Sequence, residues 1–281
     1  MKQHSLTDLN TTALNIRRSI ITMLEEAGSG HSAGSLGMTD VFTTLYFSIL
    51  KHNPSQPTWH ERDYFLLSNG HICPVWYATL AEAGYFPKEE LMTLRKLNTR
   101  LQGHPHRGSL PGVENTGGPL GQGLSQACGL AYALKMDAMT NRVYCAMSDG
   151  EQQEGQTWEA YLFAGKNRLD NLITLIDRNN IQIDGFTESI MPLEPLRTKI
   201  ESFGWNVLEV DGHNIEAIQA TIYQAHATHE QPTAIICHTI PGKGVDFMEN
   251  KYQWHGKPPN HQEAQLALKE LRSLCGQYWC E

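Results

Sequence analysis

The sequence predicts an α/β fold in which helices cover both faces of a doubly wound, mainly parallel sheet. Short apolar runs of strand length alternate along the chain with longer segments of helical periodicity. This alternation is typical of βαβ units, whose strands lie parallel in one sheet. The sequence contains no internal repeat, low-complexity tract or Pro/Gly/Ser-rich linker, so we expect one domain over residues 1–281.

Seven segments have the apolar spacing of helices. The first is amphipathic and is followed by Gly28-Ser29-Gly30, and glycine commonly ends a helix. The predicted helices are Leu6–Ala27, Met38–Leu50, Cys73–Ala83, Gln122–Met136, Thr157–Arg168, Ile215–Ala227 and His261–Leu274.

Five short runs are rich in apolar and β-branched residues, as strands are. The helix Thr157–Arg168 lies between two of them and completes a βαβ unit. The predicted strands are Tyr64–Leu67, Val143–Met147, Leu172–Asp177, Asn206–Val210 and Thr233–Cys237.

One long connection, residues 98–121, contains two histidines and many Gly and Pro residues. Irregular loops of this length in compact domains are usually functional or disordered. Because this one ends in a glycine-rich turn that leads straight into the helix Gln122–Met136, we expect it to be functional.

Composition limits the classes of function. The net charge of −8 argues against nucleic-acid and membrane-surface binding, since the chain has no basic excess to meet phosphates. Apolar runs stay well short of the roughly 20 residues that span a bilayer. Residues 1–10 are polar, without the apolar core of a signal peptide. No Cys-x-x-Cys pair is present, and we expect a reduced, cytoplasmic location. The six cysteines are Cys73, Cys128, Cys145, Cys237, Cys275 and Cys280.

A carboxylate and a carboxamide follow two neighbouring strands of the predicted βαβ unit. Asp149 comes just after Val143–Met147, and Asn179 comes just after Leu172–Asp177. In a parallel sheet both positions lie at the carboxyl edge, where open α/β folds bind ligands. Together with a backbone carbonyl, such oxygens suit Mg²⁺ or Ca²⁺ that holds a diphosphate. Asp, Gly and Asn are also common in ordinary turns, so the pair alone leaves both interpretations open.

Five further clusters contain histidine or several glycines. They are Gly30-His31-Ser32, Leu67-Ser68-Asn69-Gly70-His71, Gly103-His104-Pro105, Thr116-Gly117-Gly118-Pro119-Leu120-Gly121-Gln122-Gly123 and Trp254-His255-Gly256. With Asp149-Gly150 and Asn179, these clusters make the chain similar to the transketolase family of thiamine diphosphate enzymes. The similarity covers the amino-terminal, diphosphate-binding half of that family, from about Leu14 to Pro258. One departure is Ser148, where the family usually has Gly.

The resemblance implies a metal and cofactor site. Asp149 and Asn179 would bind Mg²⁺ or Ca²⁺ through side-chain oxygens, and Ile181 through its backbone carbonyl. Asn179 would also contact thiamine diphosphate, and the Gly150 N–H would meet the diphosphate.

Three more residues would contact the cofactor by the same resemblance. Gly118 would let the backbone approach it closely. Leu120 would pack under its rings and Ile183 would contribute from the other side, although plain core packing is the alternative for both and explains Ile183 nearly as well.

The same resemblance implies catalytic roles for five residues. His31, His71, His104 and His255 would line the channel to the reactive carbon of the cofactor. There His71 and His255 would also contact the cofactor, and all four suit proton exchange with sugar oxygens. Glu154 would join a carboxylate network across a subunit interface, although acidic residues are also common in the first turn of a helix.

The resemblance covers less than half of a complete transketolase. The pyrimidine-binding and carboxy-terminal domains, and with them the glutamate that activates the cofactor, have no counterpart in the sequence. We therefore expect a second subunit to carry them, in an α2β2 assembly without which this chain is inactive.

The favoured function is thus that of the amino-terminal subunit of a split transketolase, which transfers a two-carbon ketol unit from a ketose phosphate to an aldose phosphate. An α-type subunit of a 2-oxoacid dehydrogenase would retain Asp149 and Asn179 but leave the five clusters unexplained. A non-catalytic binding subunit would retain the fold, and the complete set of site residues argues against it. A specialised sugar phosphate is as compatible with the sequence as the pentose-phosphate pair.

Overall fold

The computed structural model describes the backbone of residues 4–277 and the side chains as far as residue 271, so the side chains of Cys275 and Cys280 lie outside it. The helices in this part are α1 (Leu6–Ala27), α2 (Ala33–Gly37), α3 (Thr39–Thr44), α4 (Cys73–Glu82), α5 (Gln122–Met136), α6 (Gly155–Lys166), α7 (Thr187–Ile190), α8 (Leu196–Glu201), α9 (Ile215–His226) and α10 (His261–Gln277). The strands are β1 (Tyr64–Leu67), β2 (Val143–Ser148), β3 (Leu172–Arg178), β4 (Ile181–Gln182), β5 (Gly185–Phe186), β6 (Asn206–Asp211) and β7 (Thr233–His238). Among the described helices, none is both long enough and apolar enough to cross a bilayer.

Five strands form one parallel sheet in the order β1-β2-β3-β7-β6. Strands β4 and β5 form a separate antiparallel pair. The predicted α/β fold with a parallel sheet is confirmed, and all five predicted strands agree with the observed ones to within one residue at either end. Parallel pairing needs a crossover between successive strands, and the helices supply it.

Helices cover both faces of this sheet, because alternate residues of each strand point to opposite sides. On β2, Tyr144 and Ala146 belong to a core shared with α1, α3 and α4. Val143, Cys145 and Met147 belong to a second core shared with α5, α6 and α8. All five residues are fully buried, so the sheet is covered on both faces as doubly wound folds require.

The prediction of one helix over Met38–Leu50 was wrong in detail. The segment contains the short helix α3 and then a π-helical turn over Leu45–Ile49. The hydroxyls of Thr43 and Thr44 donate to the carbonyls of Thr39 and Asp40, four residues earlier. Such back-bonding bends helices, and periodicity does not reveal it. The short helices α2, α7 and α8 and the β4–β5 pair were also not predicted.

A buried ion pair joins α1 to α3 and to the loop before α9. The Arg17 guanidinium donates to both carboxylate oxygens of Asp40, at 3.0 and 2.6 Å. His213 Nδ1 lies 2.9 Å from Asp40 Oδ2, and the Ile240 N–H donates to His213 Nε2 at 2.7 Å. Burial alone would raise the pKa of Asp40, but Arg17 and His213 hold it below its usual value. In this buried cluster the negative charge of Asp40 is therefore balanced by the positive charge of Arg17.

Replacing Asp40 with Asn should lower the free energy of unfolding by ~3–5 kcal/mol, because Arg17 would remain buried without its counter-charge. Denaturant unfolding measures the change. The control is Glu230→Gln, which removes an exposed partner of Arg168 and should cost less than about 1 kcal/mol. Equal losses in the two variants would contradict this account.

Candidate functional site

The candidate site lies at the carboxyl edge of the sheet, where β1, β2 and β3 end side by side. Strand β1 pairs with β2, and Ser148 at the end of β2 pairs with Asp177 near the end of β3. The turns that follow the three strands are therefore neighbours. They carry the Ser68–His71 segment, Asp149 and Asn179 respectively. The structure thus brings together residues that the sequence separates by up to 111 positions.

Three of the four predicted catalytic histidines form one group, which we call the histidine group: His31, His71 and His255. Their ring centroids lie 5.0 Å apart for His31 and His71, 5.6 Å for His31 and His255, and 5.1 Å for His71 and His255. They come from the α1–α2 connection, from the turn after β1 and from the segment before α10. All three are only partly exposed.

Burial makes the histidine group neutral at neutral pH. Desolvation lowers the pKa of His31 to about 4, and electrostatic repulsion from the neighbouring His255 ring adds to that lowering when both rings take up protons. Desolvation also lowers the pKa of His71 well below its usual value and lowers that of His255. A neutral imidazole has one N–H donor and one acceptor nitrogen, so each ring can give or take a proton.

The fourth histidine, His104, lies farther out and is exposed. It belongs to the predicted long loop, which has neither helix nor strand between residues 94 and 121. A Cβ placed on Gly118 would lie 3.9 Å from its ring. His104 therefore borders the glycine turn, while the other three lie together deeper in the site.

Asp149 is fully buried at the end of β2. Its Oδ2 accepts hydrogen bonds from the Arg178 guanidinium at 3.0 Å and the Asn180 N–H at 2.7 Å. Its Oδ1 accepts the adjacent Gly150 N–H at 2.7 Å. Burial raises the pKa of Asp149, and Arg178 opposes that rise. The two oxygens thus differ in their partners. Oδ2 accepts hydrogen bonds from residues at the end of β3 and just after it, whereas Oδ1, within the described part of the chain, accepts only the N–H of the next residue.

Asn179 is held by two local hydrogen bonds. Its side-chain N–H donates to Asp177 Oδ2 at 2.7 Å, and its Oδ1 accepts the Ile181 N–H at 3.0 Å. The amide oxygen, the Asp149 carboxylate and the Ile181 carbonyl are hard oxygen donors, which suit Mg²⁺ or Ca²⁺. The described residues contain no cluster of three His, Cys, Asp or Glu that could form a metal site of another type. The donor set therefore fits the predicted metal.

Unsatisfied buried atoms also favour a ligand here. Among the described residues, His31 Nδ1 and both polar atoms of the Asn69 side chain are buried without a hydrogen-bond partner. Buried polar groups are nearly always paired, so a bound polar molecule is a natural partner for them.

The glycine turn brings backbone against backbone beside the histidine group. Gly118 and Gly121 have φ angles of 143° and 81°, which favour glycine. A Cβ on Gly70 would lie 2.8 Å from the Gly118 nitrogen, so the turn and the loop bearing His71 touch through their main chains. Helix α5 begins directly after Gly121, so the glycine turn leads straight into the amino-terminal end of a helix.

Of the two predicted apolar contacts to the cofactor, Ile183 is more exposed than core packing allows. Ile183 is 62% exposed, so the alternative explanation of plain core packing is wrong. A Cβ on Gly256 would lie 3.6 Å from His31 Nε2 and 4.0 Å from Ile183 Cδ1, which puts Ile183 beside the histidine group. Leu120 is partly buried in the glycine turn.

Glu154 is exposed at the start of α6, without a side-chain capping bond. It lies against the glycine turn, since a Cβ on Gly121 would approach Glu154 Cβ to 2.9 Å. Its outward position is compatible with a role at an interface.

The sequence analysis missed two charged residues of this site. Arg178 bonds Asp149, Glu188 and Glu194, and its side chain is 4% exposed. Glu151 is fully buried although it directly follows the Asp149-Gly150 turn. In the sequence, only their positions beside Asp149-Gly150 and Asn179 point to the site. Such a position does not show whether the side chain of a turn residue faces the site or the solvent.

Comparisons with known proteins identify similar domains. Residues 9–274 match the family described as transketolase, thiamine diphosphate binding domain. The 6-deoxy-6-sulfo-D-fructose transketolase subunit SqwG of Clostridium sp. (strain MSTE9) is 43% identical over 94% of this chain and 96% of its own length. One subunit of the apulose-4-phosphate transketolase of Phocaeicola vulgatus is 39% identical over 91% of this chain and 90% of its own length.

Complete transketolases match over only part of their length. The enzyme of Rattus norvegicus is 38% identical over 96% of this chain, which spans 43% of that protein. A crystal structure of a Pichia stipitis transketolase variant has a TM-score of 0.90 and 32% identity, and covers 95% of this chain and 40% of its own. The chain thus corresponds to less than half of these larger proteins.

The low pKa of His31 has a measurable consequence. Its folded-state pKa of about 4 lies below the ordinary value of 6.5. As the pH falls from about 6.5 to about 4, the unfolded chain should take up a proton that the folded chain refuses, so His31 should destabilise the fold in this window and have no effect above it. Nitrogen NMR of histidine-labelled protein should show a neutral His31 ring at pH 5.5. A ring that titrates near pH 6.5 would contradict this expectation.

Proposed function

Since this chain belongs to the transketolase family, matched over residues 9–274 by the thiamine diphosphate binding domain, we propose that it is the amino-terminal subunit of a split transketolase. With a partner subunit it transfers a two-carbon ketol unit from a ketose phosphate to an aldose phosphate. The observation that carries the proposal is the histidine group lying at the same sheet edge as Asp149 and Asn179. Relatives that are named as transketolase subunits and match almost end to end support it.

In this proposal the chain holds the diphosphate end of thiamine diphosphate. Asp149, Asn179 and the Ile181 carbonyl would bind Mg²⁺ or Ca²⁺, and the Gly150 N–H, which here donates to Asp149 Oδ1, would donate to the diphosphate instead. Leu120 belongs to the glycine turn and Ile183 lies beside the histidine group, and both apolar side chains suit contact with the cofactor rings. When bound, the cofactor supplies the reactive carbon and the electron sink that ketol transfer needs.

The histidines bind and orient the sugar. Because the rings of His31, His71 and His255 are neutral, each can donate one hydrogen bond to a sugar oxygen and accept another. A ring that holds a hydroxyl in this way can also move its proton during bond making and breaking, which typically contributes ~10²–10⁴-fold in rate. His104, at the outer rim, would meet the part of the sugar that lies farther from the reacting carbon.

The donor substrate is proposed to be a ketose with an anionic group remote from the ketol unit. The names of the two subunit relatives specify a sulfonated fructose and a phosphorylated apulose. Both are ketoses that carry such an anion, and a specialised substrate of this class fits the present chain as well as a pentose phosphate does.

The partner subunit would supply the pyrimidine-binding domain. An exposed apolar surface on α5 and α6, formed by Tyr132, Met136, Leu162 and Phe163, supports an interface there, since exposed apolar patches mark interaction sites. The rings of Tyr132 and Phe163 are in edge contact at 5.8 Å. Glu154 lies at the start of the same helix α6 and would join the carboxylate network of an α2β2 assembly.

We further propose that residues 1–281 act as one diphosphate-type domain in the cytoplasm. One sheet lies between two cores, which supports a single domain. Four cysteines of the described part are buried free thiols, which supports a reducing compartment. The family match favours ketol transfer over the 2-oxoacid dehydrogenase alternative.

Asp149→Asn should lower the Mg²⁺-dependent affinity for thiamine diphosphate by more than about 100-fold in the assembled enzyme, because the metal would lose its carboxylate ligand. Calorimetric titration measures this, and a thermal melt of the free chain checks the fold. Glu216→Gln, which removes an exposed carboxylate on α9, is the control and should leave affinity unchanged. If Asp149→Asn binds as the wild type does, the metal assignment fails. A non-catalytic subunit is supported if the wild-type complex does not bind the cofactor.

Alone, the chain should show neither ketol transfer nor hydrogen–deuterium exchange at C2 of thiamine diphosphate. Mixing with a partner that carries the pyrimidine-binding domain should restore both. Hydrogen-exchange mass spectrometry should then show protection of α5 and α6, while α10 remains unchanged. Steady ketol transfer by the purified chain alone would contradict the split-enzyme proposal.

A further inference from the structure

Glu151 is a buried carboxylate that none of the roles proposed so far uses. It lies in the 3₁₀ turn Gly150–Gln153 that follows β2, and its side chain has no solvent exposure. No cation is among its hydrogen-bond partners in the described structure. Burying a carboxylate without a counter-charge is costly, so its hydrogen bonds must compensate.

The hydrogen bonds of Glu151 join three separate segments. Its Oε1 accepts the Ser68 hydroxyl, from the turn after β1, and the Gly121 N–H at 2.6 Å, from the glycine turn. Its Oε2 accepts the Ser148 N–H at 3.2 Å, at the end of β2. The Ser68 hydroxyl in turn accepts the Gly123 N–H at 3.0 Å. One carboxylate therefore fixes the start of α5, directly and through Ser68.

Each of these segments carries a residue of the proposed cofactor site. Ser68 lies three positions before His71, and Gly121 ends the turn that contains Gly118 and Leu120. The start of α5 and the turn after β1 are in close contact, because a Cβ on Gly123 would lie only 2.3 Å from the Ser68 Cβ. Because the turns have no hydrogen-bond ladder of their own, their relative position depends on such cross-links.

We propose that Glu151 is a positioning residue that holds the glycine turn and the Ser68–His71 loop in the arrangement that receives thiamine diphosphate. It acts through Gly121 and Ser68 and does not itself touch the cofactor or the sugar. This inference rests on the proposed function for its cofactor, whereas the cross-link itself is a property of the chain alone.

The first test is hydrogen exchange of the free chain. In Glu151→Gln, which keeps the size and one acceptor oxygen, the amides of Gly121 and Gly123 should exchange at least tenfold faster than in the wild type. The central strand β3 should exchange as before. Glu151→Ala should show a larger increase at the same two amides. Unchanged exchange at Gly121 and Gly123, or an equal increase in β3, would overturn the proposal.

The second test is cofactor affinity in the complex with the partner subunit. Glu151→Gln should bind thiamine diphosphate with Mg²⁺ at least tenfold more weakly than the wild type, and Glu151→Ala more weakly still, while Glu216→Gln binds as the wild type does. Wild-type affinity in Glu151→Gln, despite faster exchange, would overturn the proposal. If the wild-type complex itself bound no cofactor, the proposed function would fail, and the exchange experiment would still decide whether Glu151 forms the cross-link.

Discussion

The site depends on the parallel register of β1, β2 and β3. Since these strands end together, with Ser148 opposite Asp177, their following turns converge at one edge. A slip of one residue would exchange the two faces of a strand and move Asp149 away from Asn179. The two cores hold the register, because every residue of β2 and β3 is buried. The arrangement of the candidate site is therefore a consequence of sheet packing.

Acidic groups crowd this edge, and the structure compensates them in two ways. Arg178 contacts Asp149 directly and connects it to Glu188 and Glu194 on the segment after β5. Glu151 and Asp177 have no such cation, and burial raises the pKa of each to about 7. They are satisfied by hydroxyl, amide and backbone donors instead. A divalent cation would find carboxylate oxygen here in a rigid setting, which suits a metal that holds a diphosphate.

The neutral histidine group and the exposed apolar surface of α5 and α6 are two separate features that are both expected of a subunit which shares its active site with a partner. The first gives the chain polar rings that can each donate and accept a hydrogen bond, and the second leaves apolar area exposed. A family whose complete members are more than twice as long fits this arrangement. The chain has the features of one part of an active site, which a partner subunit would complete.

The sequence by itself determined the alternation of strands and helices, the positions of Asp149 and Asn179 at strand ends and the grouping of short motifs around histidine. Apolar periodicity shows which side of a regular element is buried, so β1 and α5 could be predicted to the residue. Turns have no such periodicity. Glu151 and Glu154 are three positions apart in the turn between β2 and α6, yet one is fully buried and the other exposed. Only the tertiary structure decided this, because Glu151 faces donors from the turn after β1 and from the glycine turn, which no local pattern places beside it.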